Sequence, residues 1–161
     1  MEPLRIGVLG AARISDKAII EPARNTGHRL VVVAARDRNR AEKFAQDGNI
    51  ERVVDSYQEV IDDPEVEAIY NPLPNGLHGP WNLRAIAAGK HVLSEKPSAS
   101  NAAEARDVRD AVNASGVKFM EAFHYRYHPV MKRMLELASS GELGELTNID
   151  VHMSFPNTDA T

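Results

Sequence analysis

Apolar positions follow two rhythms along this chain, and the change between them divides it. In the first part, short continuous apolar runs alternate with stretches of helical spacing. Leu4, Ile6, Val8 and Leu9 make the first run, as expected for a buried parallel strand. Asp16–Asn25 then reads as a helix, shortened or bent by Pro22 and closed by Thr26-Gly27-His28. Leu30–Ala35 is a second buried strand, and Arg38–Gln46 a helix with Ala41, Phe44 and Ala45 on one face. A short strand at Arg52–Val54 and a brief helix at Tyr57–Ile61 lead to the turn Asp62-Asp63-Pro64. Ala68-Ile69-Tyr70 is a compact strand, followed by the loop Asn71–Gly76. Pro80 suits a first helical turn, so the next helix is read as Trp81–Ala88, ended by Gly89. His91–Ser94 is a strand, and Asn101 with Glu104 forms a capping-box pattern opening a helix to Ser115-Gly116. Val117–Glu121 is the last strand of this kind.

Such alternation predicts an α/β fold, a doubly wound parallel sheet with helices on both faces, over residues 1–122. Residues 123–161 differ. Pro129–Ser139 is an amphipathic helix, and Leu146–Phe155 takes up a two-residue period, with Ile149, Val151, Met153 and Phe155 facing one way. One such strand cannot stand alone. The segment therefore reads as a linker helix and the first strand of an incomplete C-terminal α+β domain. Its bare apolar face predicts either pairing between copies of the chain or disorder.

Composition narrows the partners. A chain of 161 residues can bury one substantial core and the start of another. A net charge of −4 gives no general attraction to nucleic acid or anionic membrane, so neither is expected as a partner. The absence of cysteine excludes disulfides and thiol catalysis and suits a reducing cytoplasm. Met1–Arg5 leads directly into the first strand, so no signal peptide is expected. No apolar run approaches the roughly 20 residues that a bilayer span needs.

In a doubly wound sheet, ligands sit beyond the carboxyl ends of the strands. There the chain places Gly10, Ala11, Ala12, Arg13 and Ile14, a strand–turn–helix start that offers unpaired amides to the pyrophosphate of a dinucleotide. In the G-x-G-x-x-G frame Gly10 matches, while Ala12 and Ser15 replace the second and third glycines. Arg36 follows the second strand where an acid would bind a ribose hydroxyl. A guanidinium suits a 2′-phosphate, which favours NADP over NAD. In the alternative, Arg36 pairs with Asp37 or solvent and Asp37 takes the ribose. Lys96, between Glu95 and Pro97, is the candidate catalytic group: its ammonium can stabilise charge developing on a substrate oxygen. Glu95 can orient it or touch cofactor. His78 can position a hydroxyl or carry a proton, or it can simply cap a helix. His124 and His128 have a helical metal-binding spacing, but Pro129 and the crowded aromatics favour a helix entry, and no third ligand is evident. No metal is expected. Tyr125, Arg126 and Tyr127 can line a polyol pocket or brace a domain junction.

Four stretches together resemble the Gfo/Idh/MocA family of glucose–fructose oxidoreductase, inositol dehydrogenase and their relatives. They are I-G-V-L-G-A-A-R-I at 6–14, L-P-N-G-L-H at 73–78, A-G-K-H-V-L-S-E-K-P at 88–97 and E-A-F-H-Y-R-Y-H-P at 121–129. The resemblance implies an N-terminal Rossmann domain and a C-terminal α/β domain with a large open sheet. It implies NAD(P)-dependent oxidation or reduction of sugars, cyclic polyols or diols. It makes Lys96 the shared active-site residue. Gly10, Ala11, Ala12, Arg13, Ile14, Asn71, Pro72, Leu73, Pro74, His78 and Glu95 match cofactor positions, and Arg126 matches a position near nicotinamide or substrate. The family's second motif, an Asp and a His or Tyr from the C-terminal domain, has no counterpart here. We therefore expect the remainder of that domain to be missing from the chain. Two other readings stay open: a non-catalytic dinucleotide-binding sensor or repressor, and a redox-neutral NAD-dependent lyase or glycosidase.

Overall fold

The computed structural model describes residues 2–154, in two compact units that divide after Ala122. In the first unit six strands form one parallel sheet: β1 (Arg5–Leu9), β2 (Arg29–Ala34), β3 (Arg52–Val53), β4 (Ala68–Asn71), β5 (His91–Ser94) and β6 (Phe119–Glu121). Their order is β3-β2-β1-β4-β5-β6, that of a Rossmann sheet. The helices are α1 (Glu21–Thr26, entered through a π turn at Asp16–Ile20), α2 (Arg38–Gly48), α3 (Tyr57–Asp62), α4 (Asn75–Ala87) and α5 (Ala102–Ser115).

Alternation of side chains along the strands feeds two cores, one on each face. Ile6 and Val8 of β1 pack with Ile19, Ile20, Val33 and Tyr70. Leu9 packs with Val32, Val60, Ile69 and Ile86 on the other side. Gly7 lies between the two strand residues of the first set. A Cβ there would stand 2.7 Å from Val60 Cγ1 and 3.2 Å from both Val66 methyls, so glycine lets α3 approach β1. Gly7→Ala is expected to lower the unfolding free energy by about 1–3 kcal/mol through overpacking. Urea denaturation reads this as an earlier midpoint; an unmoved midpoint would show that α3 yields freely.

Local signals set most of the helix ends. Asp37 Oδ1 accepts from Arg40 N–H at 2.9 Å at the start of α2, and Asn101 Oδ1 accepts from Ala103 and Glu104 at the start of α5. The exception is α4, which begins at Asn75, six residues before the predicted start at Trp81. Pro80 lies inside the helix rather than in its first turn. The carbonyl it deprives of a bond belongs to Gly76, and both residues are exposed, so water can serve that oxygen. The early start puts His78 in the helix and on its buried face.

At the amino-terminal edge of the sheet, Arg29 pairs with Glu51 and Glu65, and Arg52 with Asp63 and Glu65. The Arg52 guanidinium holds the Asp63 carboxyl below its usual range. This ion-pair cluster sits at the opposite end of the strands from the glycine turn.

In the second unit, a 3₁₀ turn at His124–Tyr127 leads into α6 (Pro129–Ser139), which is capped by His128 Nδ1 accepting from Val130 N–H at 3.3 Å. The predicted strand Leu146–Phe155 does not form over its described residues, 146–154. Ile149, Val151 and Met153 are each at least 75% exposed. The alternating pattern is present, but a strand needs a hydrogen-bonded neighbour, and none pairs with it among the described residues. Phe155 lies outside the described residues.

Candidate functional site

Everything of chemical interest in the first unit gathers at the carboxyl edge of the sheet. After β1 the chain turns at Gly10, whose φ of +90° is a conformation that side-chain-bearing residues rarely adopt. Its N–H donates to the Ala34 carbonyl at 2.7 Å, locking the turn against the end of β2. A Cβ at Gly10 would come within 3.0 Å of Leu73 Cδ2. Beyond the turn, the amides of Ala11, Ala12, Arg13 and Ile14 meet no protein acceptor among the described residues. The turn closes with Ser15 N–H donating to the Ala12 carbonyl at 3.0 Å, and Ser15 is fully buried.

A cleft of about 650 Å³ opens over this turn. Its floor and walls are Gly10 to Arg13, Ala35 to Asp37, Arg40, Tyr57 and Pro72 to Pro74. Of the residues expected from the sequence, it collects Gly10, Ala11, Ala12, Arg13, Arg36, Pro72, Leu73 and Pro74. Ile14 is half-exposed beside it and is not part of its wall. Arg36 is exposed and forms no ion pair with Asp37 or any other described residue, since Asp37 is committed to capping α2. Arg40 donates from Nη2 to the Ala11 carbonyl at 2.7 Å, so α2 braces the glycine turn. Tyr57 forms part of the wall and stacks edge-on against Trp81, with ring centroids 5.2 Å apart.

Arg40 and Tyr57 were not singled out in the sequence. One signal was available: Arg40 follows Arg36 by four residues. The cleft is thus a patch of free amides and guanidinium groups on a chain of net charge −4. Its chemistry fits a phosphorylated, negatively charged ligand.

Two strands away, the ends of β4 and β5 carry a buried polar cluster. Because β1 and β5 flank β4, the glycine turn and Glu95-Lys96 lie on one rim, two strand spacings or about 10 Å apart. Glu95 is buried, and its Oε1 accepts from the Tyr70 hydroxyl at 3.0 Å. Burial first, and then the Glu95 carboxylate, hold the Tyr70 phenol well above its usual range. It therefore stays protonated and donates. Lys96 is exposed, and its ammonium has no protein partner among the described residues. The Lys96–Pro97 peptide is cis.

Asn71 is fully buried. Its Nδ2 donates to Asn82 Oδ1 at 2.8 Å and to the His78 carbonyl at 3.2 Å. His78 is 1% exposed; its Nδ1 lies 2.6 Å from the Pro97 carbonyl, and its Nε2 is enclosed without a partner. Asn71, His78, Glu95 and Lys96 thus share the rim but do not line the cleft. Arg126 belongs to the second unit, exposed on the 3₁₀ turn. Among the described residues, no group of three His, Asp or Glu is placed to hold a metal ion, and no helix is long and apolar enough to cross a membrane.

Comparison with known proteins adds an independent line. Residues 4–123 match the oxidoreductase family, NAD-binding Rossmann fold. A D-xylose 1-dehydrogenase (NADP(+)) of Haloferax volcanii is 39% identical over 152 residues, covering 94% of this chain and 46% of that protein. Trans-1,2-dihydrobenzene-1,2-diol dehydrogenase of Mus musculus is 40% identical over 145 residues, covering 89% and 44%. The chain therefore spans less than half the length of either relative. Among solved structures, a 3-ketoreductase from Actinomadura kijaniata in complex with NADP and TDP-benzene superimposes with a TM-score of 0.79 at 30% identity, over 87% of this chain and 43% of that one.

Proposed function

The chain belongs to the Gfo/Idh/MocA oxidoreductase family, and on that premise we propose that it is the cofactor-binding part of an NADP-dependent oxidoreductase acting on a sugar, cyclic polyol or diol. One observation carries the reading. The amides freed by the Gly10 turn and the unpaired Arg36 face a single cleft, on the rim that also holds Lys96. The relatives support the choice of cofactor and substrate. The xylose dehydrogenase is named for NADP(+), the ketoreductase structure contains NADP, and the mouse enzyme is named for a cyclic diol.

In this reading the amides of Ala11 to Ile14 and the guanidinium of Arg13 hold the pyrophosphate, and Arg36 holds the 2′-phosphate of the adenosine ribose. Bound NADP supplies or accepts a hydride at the nicotinamide ring. Lys96, without a protein partner among the described residues, donates hydrogen bonds to the substrate oxygen and stabilises the charge that builds there. Glu95, fixed by Tyr70, sets the start of the Lys96 segment. The same reading places the protein in the cytoplasm, in keeping with the absence of cysteine, with no nucleic-acid partner. It also includes pairing of copies through the exposed apolar side chains of Leu146, Ile149, Val151 and Met153.

Fluorescence titration with NADPH and NADH side by side tests the assignment. Saturable NADPH binding at least about tenfold tighter than NADH is expected from one charge-assisted phosphate contact. Equal affinities would remove the 2′-phosphate contact, and no binding of either would sink the reading.

A further inference from the structure

We infer that α4 positions Lys96 through two side chains one turn apart, His78 and Asn82, which grip the two carbonyls that follow the lysine. The inference rests on the reading that Lys96 meets the substrate, and it assigns His78 a different task from proton transfer.

The geometry is specific. His78 and Asn82 are four residues apart in α4, so they share one face, and both are buried to within 1% of completely. His78 Nδ1 lies 2.6 Å from the Pro97 carbonyl, and Asn82 Nδ2 donates to the Ser98 carbonyl at 3.1 Å. Asn82 Nδ2 also donates to Ser94 Oγ at 3.0 Å, at the end of β5. On either side of Lys96 the backbone is tied to strands as well. Glu95 N–H donates to the Asn71 carbonyl at 2.9 Å, and Ser98 N–H donates to Glu121 Oε1 at 2.8 Å. The lysine thus rides on a segment fastened at Glu95, Pro97 and Ser98, while its own side chain has no partner among the described residues.

Chemistry settles which atoms act. A carbonyl oxygen only accepts, so His78 Nδ1 must carry a hydrogen, and in the neutral ring Nε2 is then the bare nitrogen. That nitrogen is enclosed and meets no donor. A proton carrier needs a path from its nitrogen to substrate or solvent, and this ring has none at Nε2. Asn82 is oriented by the same logic. Asn71 Nδ2 donates to its Oδ1 at 2.8 Å, which leaves Nδ2 to give to Ser98 and Ser94. A lysine with four rotatable bonds and no partner can be aimed only through its backbone. Small displacements of a reacting group cost heavily in rate, so a two-point clamp on that backbone matters to the chemistry.

Isosteric replacement separates the two nitrogens. The amide nitrogen of asparagine stands where Nδ1 stands, and that of glutamine near Nε2. Hydrogen exchange at the Ser98 amide is expected to quicken about tenfold in H78Q and in N82A, as one hydrogen bond is lost, and to return to the wild-type rate in H78N. The NADPH dissociation constant should stay within about twofold in all three, because neither residue lines the cleft. The ¹⁵N spectrum of the unsubstituted protein, which needs no variant to fold, should show His78 protonated at Nδ1 and bare at Nε2. The inference is overturned by a proton found on Nε2, by unchanged Ser98 exchange in H78Q and N82A, or by H78Q matching wild type while H78N does not. Failure of wild type to bind NADPH would refute the cofactor reading alone, since the exchange and ¹⁵N measurements need no cofactor.

Discussion

Replacing Lys96 with alanine is expected to lower turnover of a sugar or diol by about 10²–10³-fold, with the NADPH dissociation constant unchanged within about twofold. The split follows from position. Lys96 is on the rim but outside the cleft wall, so cofactor affinity does not depend on it. Its ammonium has three donors and no acceptor among the described protein residues, so no described side chain competes with a substrate oxygen for them. A preset donor of this kind contributes most when charge develops, and least in the ground state. Arginine at the same position keeps the charge but broadens it over a longer, planar head, so K96R should recover only a small part of the loss. The assay is steady-state turnover over a panel of aldoses and cyclic diols, on a form of the protein that carries a complete second domain. Unchanged turnover in K96A would remove the residue from the mechanism.

Arg36→Ala should weaken NADPH by about 10- to 100-fold and leave NADH within about twofold, since a guanidinium–phosphate contact contributes roughly 1.5–3 kcal/mol. Arg40→Ala should behave differently. Arg40 holds the Ala11 carbonyl and so braces the turn beneath the pyrophosphate as well as facing the cleft. Its loss is expected to weaken both nucleotides. Isothermal titration of the two variants with both nucleotides separates the roles. A parallel loss of NADPH and NADH affinity in Arg36→Ala would take Arg36 away from the 2′-phosphate, and so would an Arg40 variant that alone discriminates between them.

The strand ends are readable where a short, uninterrupted apolar run meets a turn residue, as Leu9 meets Gly10. The sequence pattern places Gly10, Arg36 and Lys96 on one rim, and the parallel order β3-β2-β1-β4-β5-β6 puts them there. The start of α4 was misread because Pro80 looked like an opening residue. In the fold the helix runs through it, and Gly76, whose carbonyl loses its bond, is exposed so that water can serve it. Asn82 and Tyr70 escaped notice for a different reason. A polar residue in an apolar stretch says only that it needs a partner, and the partners, Ser98 and Glu95, are 16 and 25 residues away. Such pairings are set by the sheet order, which spacing along the chain does not reveal. The alternation from Leu146 predicts a strand that does not form over residues 146–154, because a pattern becomes a strand only beside another strand.

The margin formed by β3 has its own consequence. The strand is two residues long, and Arg52 within it is tied to Asp63 and Glu65. A foreign backbone arriving on that side would find almost no open ladder to register with, and it would have to strip ionic contacts from water to settle there. Fibril growth and runaway sheet extension are thus denied a starting template at this border of the molecule.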